Sequence, residues 1–462
     1  MNRPAPVDMA HHAHLSGMFA PQRDEVDVRD LVVEGHLPDD LEGSYLRNGP
    51  NPRFDPIGQY VYPIDGDGMV HRVELSGGTA RYTNRFVRTP QVVAEEKAGR
   101  ALWAGITDPY FPSADEVGPD LANTMRELPD INVVRHGGRL LALAEAAPPY
   151  ALGSELETLG RETFGGALPV GLTAHPKIDP RTGEMVAFCY MLDAPFLTWS
   201  VFGPDGAVVR AATPVDGADR PLMVHDMALT ETYIVLILAP MVFDLEKIFT
   251  GASPLDWQPE LGVRVALVPR DGGAVRWFST DSFWMWHTAN AFDLPGGDVA
   301  VDYVEWRYPG ALTQHDGPNP SLLRRAVIGR HGVARTTLHD RDIEFPRIDE
   351  RLSTDRHRIV ATLGRSGSQR LPSGSADALF WFDVDSGADT VWSGGTLSPG
   401  EPVYLTSTSG AGYWGSIATD FTDLTSWFLV FSADDPGTGP RARVRLPIRV
   451  PAGLHGTWVP SG

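Results

Sequence analysis

Short runs of β-branched, aromatic and aliphatic residues, each cut off by Gly, Pro, Asn or Asp, recur from one end of this 462-residue chain to the other. DVRDLVVEG, MVHRVEL, INVVRHGGRLLALAE, EMVAFCYM, YIVLIL, VRVALVPRDGG, DVAVDYVEW, ALFWFDVDSG and SWFLVFSADD are examples. Many alternate apolar and polar residues before they stop, which is the period of a half-buried strand. Forty-eight glycines and 39 prolines supply the punctuation. The longest stretch without strand character, TDPYFPSADEVGPDLANTMREL, reads as a loop with a helical turn. Roughly 25 to 30 short strands cannot lie in one open sheet, which curls or splits beyond about ten. A closed or radial arrangement follows, and a β-propeller fits best. No low-complexity tract, charge block or Pro/Ser-rich linker divides residues 1–462, so the expectation is a single all-β domain with a flexible segment at residues 1–20.

Composition removes several function classes. Net charge is −20 and only Lys97, Lys177 and Lys247 represent lysine, so the basic stripe that neutralises phosphates is missing and nucleic acid is an improbable partner. The lone Cys189 excludes an internal disulfide framework and any multi-cysteine metal site, which suits a reducing, cytoplasmic setting. The N-terminus lacks the apolar run and cleavage site of a signal peptide, and the longest apolar run, Tyr233 to Phe243, is interrupted by Pro240. Peripheral contact with a membrane stays open. A G-x-G-x-x-G match at Gly410, Gly412 and Gly415 opens no helix and is not a dinucleotide fingerprint. No G-x-S-x-G nucleophile elbow is present, which argues against a hydrolase.

Histidine carries the chemical signal. His175, His225, His287 and His455 lie in the apolar or glycine-rich contexts LTAHPK, LMVHDM, WMWHTA and GLHGTW, whereas most of the other ten lie beside charges or in turns. Four neutral imidazoles suit divalent iron, zinc, copper or nickel and leave the ion's charge uncancelled. Any one of them alone would serve equally as a satisfied core histidine.

Several segments together resemble the carotenoid cleavage oxygenase family: LPDDLEGSYLRNGPNPRFDP (Leu37 to Pro56), DGDGM (Asp65 to Met69), AHPKIDP, HDMALTE, HTANAFD, EFPRID, GEPVY and LPIRVPAGLHGTW. They span nearly the whole chain in family order. The resemblance implies a seven-bladed β-propeller with loops capping an axial metal site. It also implies Fe(II) held by His175, His225, His287 and His455, and O2 as co-substrate for splitting a C=C bond into two carbonyl products. Glu145 and Glu344 match two glutamates that hold the ligand histidines by their free ring N–H. The third such glutamate is expected in the stretch TSTSGAGYWGSI, where Gly412 stands in its place. DGDGM and RNGPNP read as structural turns.

Family members that cleave 4-hydroxystilbenes resemble one another in carrying a lysine just before the first glutamate, and here that position is Ala144. A tyrosine usual in those members is replaced near Ile106. Without the cationic donor, a long conjugated carotenoid or apocarotenoid is the favoured substrate and a phenylpropenoid or stilbene the alternative. Isomerisation of a polyene and a non-catalytic scaffold are the competing readings. Strand alternation around His287 predicts Phe283 and Met285 on the histidine's face, lining a substrate channel, with Trp284 and Trp286 on the other. Trp103, Tyr110 and Phe111 are expected at the channel mouth or a membrane-facing patch.

Overall fold

The computed structural model describes residues 3–106, 109–244, 247, 253–312, 318–367, 371 and 374–461. Its strands form seven antiparallel sheets of four or more strands and one two-stranded ribbon. The sheets are the blades of a β-propeller, as the punctuation of the sequence predicts. From the axis outward, the first blade is Gly456–Pro460, Gly43–Arg47, Met69–Ser76, Thr79–Phe86 and Asp27–Val28. The second is Asn132–His136, Arg139–Leu143, Tyr150–Leu152 and Thr158–Arg161, and the third Lys177–Ile178, Met185–Tyr190, Leu197–Phe202 and Val208–Pro214. The fourth runs Met227–Leu229, Tyr233–Leu238, Val263–Pro269 and Arg276–Thr280, and the fifth Trp284–Asp293, Val299–Trp306, Leu322–Gly329 and Gly332–His339. The sixth is Ile343–Arg347, Ile359–Gly364, Ala378–Asp383 and Asp389–Ser393. The seventh is built on Val403–Thr406, Gly412–Asp420, Ser426–Ser432 and Ala442–Arg445, with Leu397–Pro399 also paired to Gly412–Asp420 and Val33–Gly35 outermost.

Two pairings shut the ring. Val33 pairs with Val444 at the outer edge of the seventh blade, and Tyr45 pairs with Trp458 near the axis of the first. Radial repetition divides what would be one very large sheet into blades that each keep only one outer edge. The core lies between blades: Val265, Leu267, Val301, Tyr303 and Ile328 are fully buried between the fourth and fifth, and Tyr45, Val73, Phe428 and Val430 between the first and seventh.

A nine-residue helix, Pro90–Ala98, is the one substantial helix among the described residues and departs from the all-strand reading. Thr89 caps it by accepting from Val92 N, Pro90 opens it, and Gly99 closes it in the left-handed region. The DGDGM turn anchors the following segment. Asp65 Oδ1 accepts from Ile106 N at 2.8 Å and Asp67 Oδ1 from Arg126 at 2.5 Å. Gly68 permits this approach, since a Cβ there would meet Pro129 O at 2.2 Å. The N-terminal segment is tied down by Val7 N to Pro56 O and Gly58 N to Ala5 O, both 2.8 Å, and it buries Leu15, Met18 and Phe19. Among the described residues no helix is long and apolar enough to cross a membrane.

Candidate metal centre

Each blade contributes one histidine or glutamate to a cluster near the axis. His455 directly precedes the inner strand of the first blade, His175 stands two residues before that of the third and His225 two residues before that of the fourth, while His287 lies within that of the fifth. Glu145 follows the second strand of the second blade, Glu344 lies in the inner strand of the sixth, and Glu401 precedes that of the seventh. The histidine nitrogens converge. His175, His287 and His455 each offer one within 4.8 Å of the others, and His225 Nε2 lies 3.1 Å from His175 Nε2 and 3.4 Å from His287 Nε2.

Three of the imidazoles are held from behind. His225 Nδ1 is 3.1 Å from Glu145 Oε2, His287 Nδ1 is 2.6 Å from Glu344 Oε2, and His455 Nδ1 is 2.9 Å from Glu401 Oε1. A carboxylate at Nδ1 takes that N–H and leaves the Nε2 lone pair free. The lone pairs of His225 and His287 therefore face each other at 3.4 Å. Without a cation between them they repel; two nitrogens each about 2.1 Å from one ion at a right angle lie about 3 Å apart. The donor set thus fits a divalent ion.

Burial depresses His175 well below its ordinary value, and the neighbouring imidazoles add to this. Burial also takes His455 down to about 4, although Glu401 opposes it. At His287 burial acts in the same direction, but the Glu344 carboxylate outweighs it and holds the imidazole above its usual value. Burial would raise Glu401; Arg347 and His455 overcome it and bring the carboxyl to about 2.

Glu401 corrects the sequence reading. The glutamate expected near TSTSGAGYWGSI is not missing: His455 leans on the glutamate of GEPVY, while Gly412 sits on the adjoining strand in contact with Tyr404. The motif was visible, but its glutamate is linked to His455 across 54 residues, a distance that pattern reading does not bridge.

The channel residues also move. Register slips between Met285 and Thr288, where three steps oppose two on the neighbouring strand, and slips again before Asn290. The bulge breaks the alternation, so Phe283 and Met285 are buried in the core between blades, with Phe283 packed 5.3 Å from the Tyr303 ring. Trp286 instead sets its indole edge-on to His225 at 4.9 Å. Trp103 is buried and donates through Nε1 to Thr124 O at 2.9 Å, Tyr110 approaches Glu116 Oε2 at 3.4 Å, and Phe111 is exposed. Ala144 is buried beside Glu145.

A cavity of about 550 Å³ runs along the axis on one side of the histidines. It is lined by His175, His287 and His455 and by the charged Lys177, Asp226 and Arg347. Asp226 ties this floor together, with Lys177 Nζ 2.8 Å from its Oδ1 and Thr288 N and Oγ1 each 2.8 Å from its Oδ2. It thereby joins the strands that carry His175, His225 and His287.

The same fold and sequence pattern occur elsewhere. The chain is 31% identical to resveratrol cleavage oxygenase 1 of Aspergillus fumigatus, over 96% of this chain and 95% of that one. It is 32% identical to the carotenoid cleavage oxygenase of Mycobacterium tuberculosis, over 98% of each. The crystal structure of Pseudomonas brassicacearum lignostilbene dioxygenase superposes with a TM-score of 0.88 at 30% identity, covering 98% of this chain and 99% of that one. Residues 19–460 match the family model described as retinal pigment epithelial membrane protein. With a match across nearly the whole propeller, the chain belongs to this family, the carotenoid cleavage oxygenases.

Proposed function

We propose that His175, His225, His287 and His455 hold Fe(II), and that the protein cleaves a conjugated C=C bond of a carotenoid or apocarotenoid with O2 to give two carbonyl products. The observation that carries this reading is the convergence of four imidazoles, three of them oriented by Glu145, Glu344 and Glu401. Iron bound there supplies the centre at which O2 and an electron-rich alkene react. The remainder is the work of the chain. The glutamates keep the Nδ1 protons in place and the Nε2 lone pairs aimed inward. Asp226 fixes the spacing of three ligand-bearing strands from below. Trp286 packs edge-on against His225 and helps to hold that ring in place.

Ala144 directs the choice of substrate, because it leaves no cationic donor beside Glu145 for a phenol oxygen. The relatives named for resveratrol and lignostilbene favour a phenylpropenoid or stilbene as the second reading. Anaerobic reconstitution with Fe(II), followed by O2-dependent turnover of an apocarotenoid and an isoeugenol-type alkene, separates them. One iron per chain with carbonyl products from the apocarotenoid is expected; exclusive turnover of the phenylpropenoid would replace the first reading by the second. Carbonyl products free of label under ¹⁸O2, or product formation without O2, would remove the oxygenase. Ala144→Lys is expected to improve binding of a hydroxystilbene.

A further inference from the structure

Glu344 and Arg347 lie three residues apart on the inner strand of the sixth blade, an odd spacing that places side chains on opposite faces of a regular strand. Here the pairing passes from Glu344↔Leu363 to Arg347↔Ala361, three steps against two, so one residue is extra. Phe345 takes up the distortion at φ 53°, in the left-handed region that a bulky side chain rarely enters. The bulge turns both charged residues toward the axis, where each serves a different histidine. Glu344 bonds His287 directly and has only neutral donors besides, Trp306 Nε1 at 2.8 Å and Phe345 N at 2.6 Å. Arg347 Nη1 reaches Glu401 Oε1 at 3.1 Å, the same oxygen that accepts from His455 Nδ1. It also donates to Gly456 O at 3.1 Å and pairs with Glu350.

A carboxylate that faces an imidazole alone strengthens it as a donor, by drawing the Nδ1 proton away and pushing charge toward Nε2. A carboxylate oxygen shared with a guanidinium has less charge to give. We propose that Arg347 is a positioning residue that makes His455 a weaker donor than its neighbour His287, so that the four histidines form a graded rather than an equivalent set. This rests on the reading of the four histidines as metal ligands. Glu145 resembles Glu344 in this, since Oε2 lies 3.1 Å from His225 Nδ1 and its other neighbour is the neutral Tyr190 hydroxyl, not a cation. One bulged strand therefore tunes two adjacent ligands in opposite senses.

The test is equilibrium competition between the cobalt-loaded full-length protein and a chromophoric chelator, with the visible Co(II) bands recorded alongside. Arg347→Met removes the competing cation, and the expected result is roughly tenfold tighter Co(II) binding with a shift of the visible bands. Arg347→Lys retains charge and should keep the wild-type affinity and spectrum. A merely structural arginine predicts the reverse, with weaker or unchanged binding in Arg347→Met and equal impairment in Arg347→Lys; either result overturns the proposal. Should the methionine variant fail to fold, Arg347→Gln keeps a neutral donor and must show the same tightening. Absence of Co(II) binding by the wild-type protein would instead overturn the metal-centre reading beneath it.

Discussion

Ile359–Gly364 and Ala378–Asp383 pair six residues against six without a slip, and most of their side chains are buried apolar groups. One strand closer to the axis, Ile343–Arg347 loses register within five residues and carries Glu344, the left-handed Phe345 and Arg347. The fifth blade repeats the contrast: Val299–Trp306 and Leu322–Gly329 run in continuous register, whereas Trp284–Asp293 slips twice around His287. The middle strands supply stability through apolar burial, and the inner strands accept irregular backbone to aim polar side chains at one point. The two regions should therefore fail in different ways.

The largest effect is expected at the axis. His287→Ala should abolish metal retention and turnover while lowering the thermal midpoint less than a large core truncation does, because Trp306 Nε1 and Phe345 N still donate to the Glu344 carboxylate it leaves behind. Metal analysis beside calorimetry measures both, and a fall in midpoint larger than that of a core variant would erase the contrast. Phe428 is fully buried against Tyr45, and Phe428→Ala should cost about 3–5 kcal/mol in denaturant unfolding. The folded fraction should still bind metal at full stoichiometry.

Asp302 tests a polar group inside the regular region. It receives the Arg325 guanidinium at 2.6 and 2.7 Å, and His357 Nε2 lies 3.0 Å away. Burial would raise its carboxyl, but these partners hold it below the ordinary value. A depressed carboxyl contributes stability above its unfolded value, near pH 4, and loses that contribution as pH falls through the lower folded value. Asp302→Asn should thus cost about 2 kcal/mol at pH 7, with the difference from wild type shrinking at pH 3. Unfolding curves at the two pH values decide it. The smallest effect on metal binding belongs to Trp306→Phe, which takes one neutral donor from Glu344, leaves more of its charge to His287 and should tighten Co(II) binding by no more than a few-fold, at a cost of about 1 kcal/mol in stability.

The same division explains what could be read in the sequence. The strands, the single propeller and the contexts of His175, His225, His287 and His455 were legible because turn residues and apolar periods are local signals. Glu145 and Glu344 were legible through their motifs. Glu401 was misplaced to Gly412, because the partner of a histidine is set by which blades close side by side. Phe283 and Met285 were misassigned for a related reason: period-two counting holds only while the ladder is regular, and the bulge before Thr288 interrupts it where function begins. Arg347 lay within the EFPRID motif, but its task was not legible there, since it depends on the one extra residue between Glu344 and Arg347 that turns both toward the axis. The helix Pro90–Ala98 was signalled by its Thr89 cap and Gly99 stop, and was overlooked among the strand cues.

The order in which the ring is completed has its own outcome during synthesis. His175, His225 and His287 leave the ribosome far ahead of His455, which sits directly before the strand that pairs with Gly43–Arg47. A nascent chain can stack its middle blades as they emerge. Until residue 455 has been made, however, the fourth imidazole is missing and the first blade stands ajar beside the axis. On the proposed reading of the four histidines as ligands, the full donor set and the innermost strand of the first blade arrive together, so completion of the centre and closure of that blade depend on the same segment.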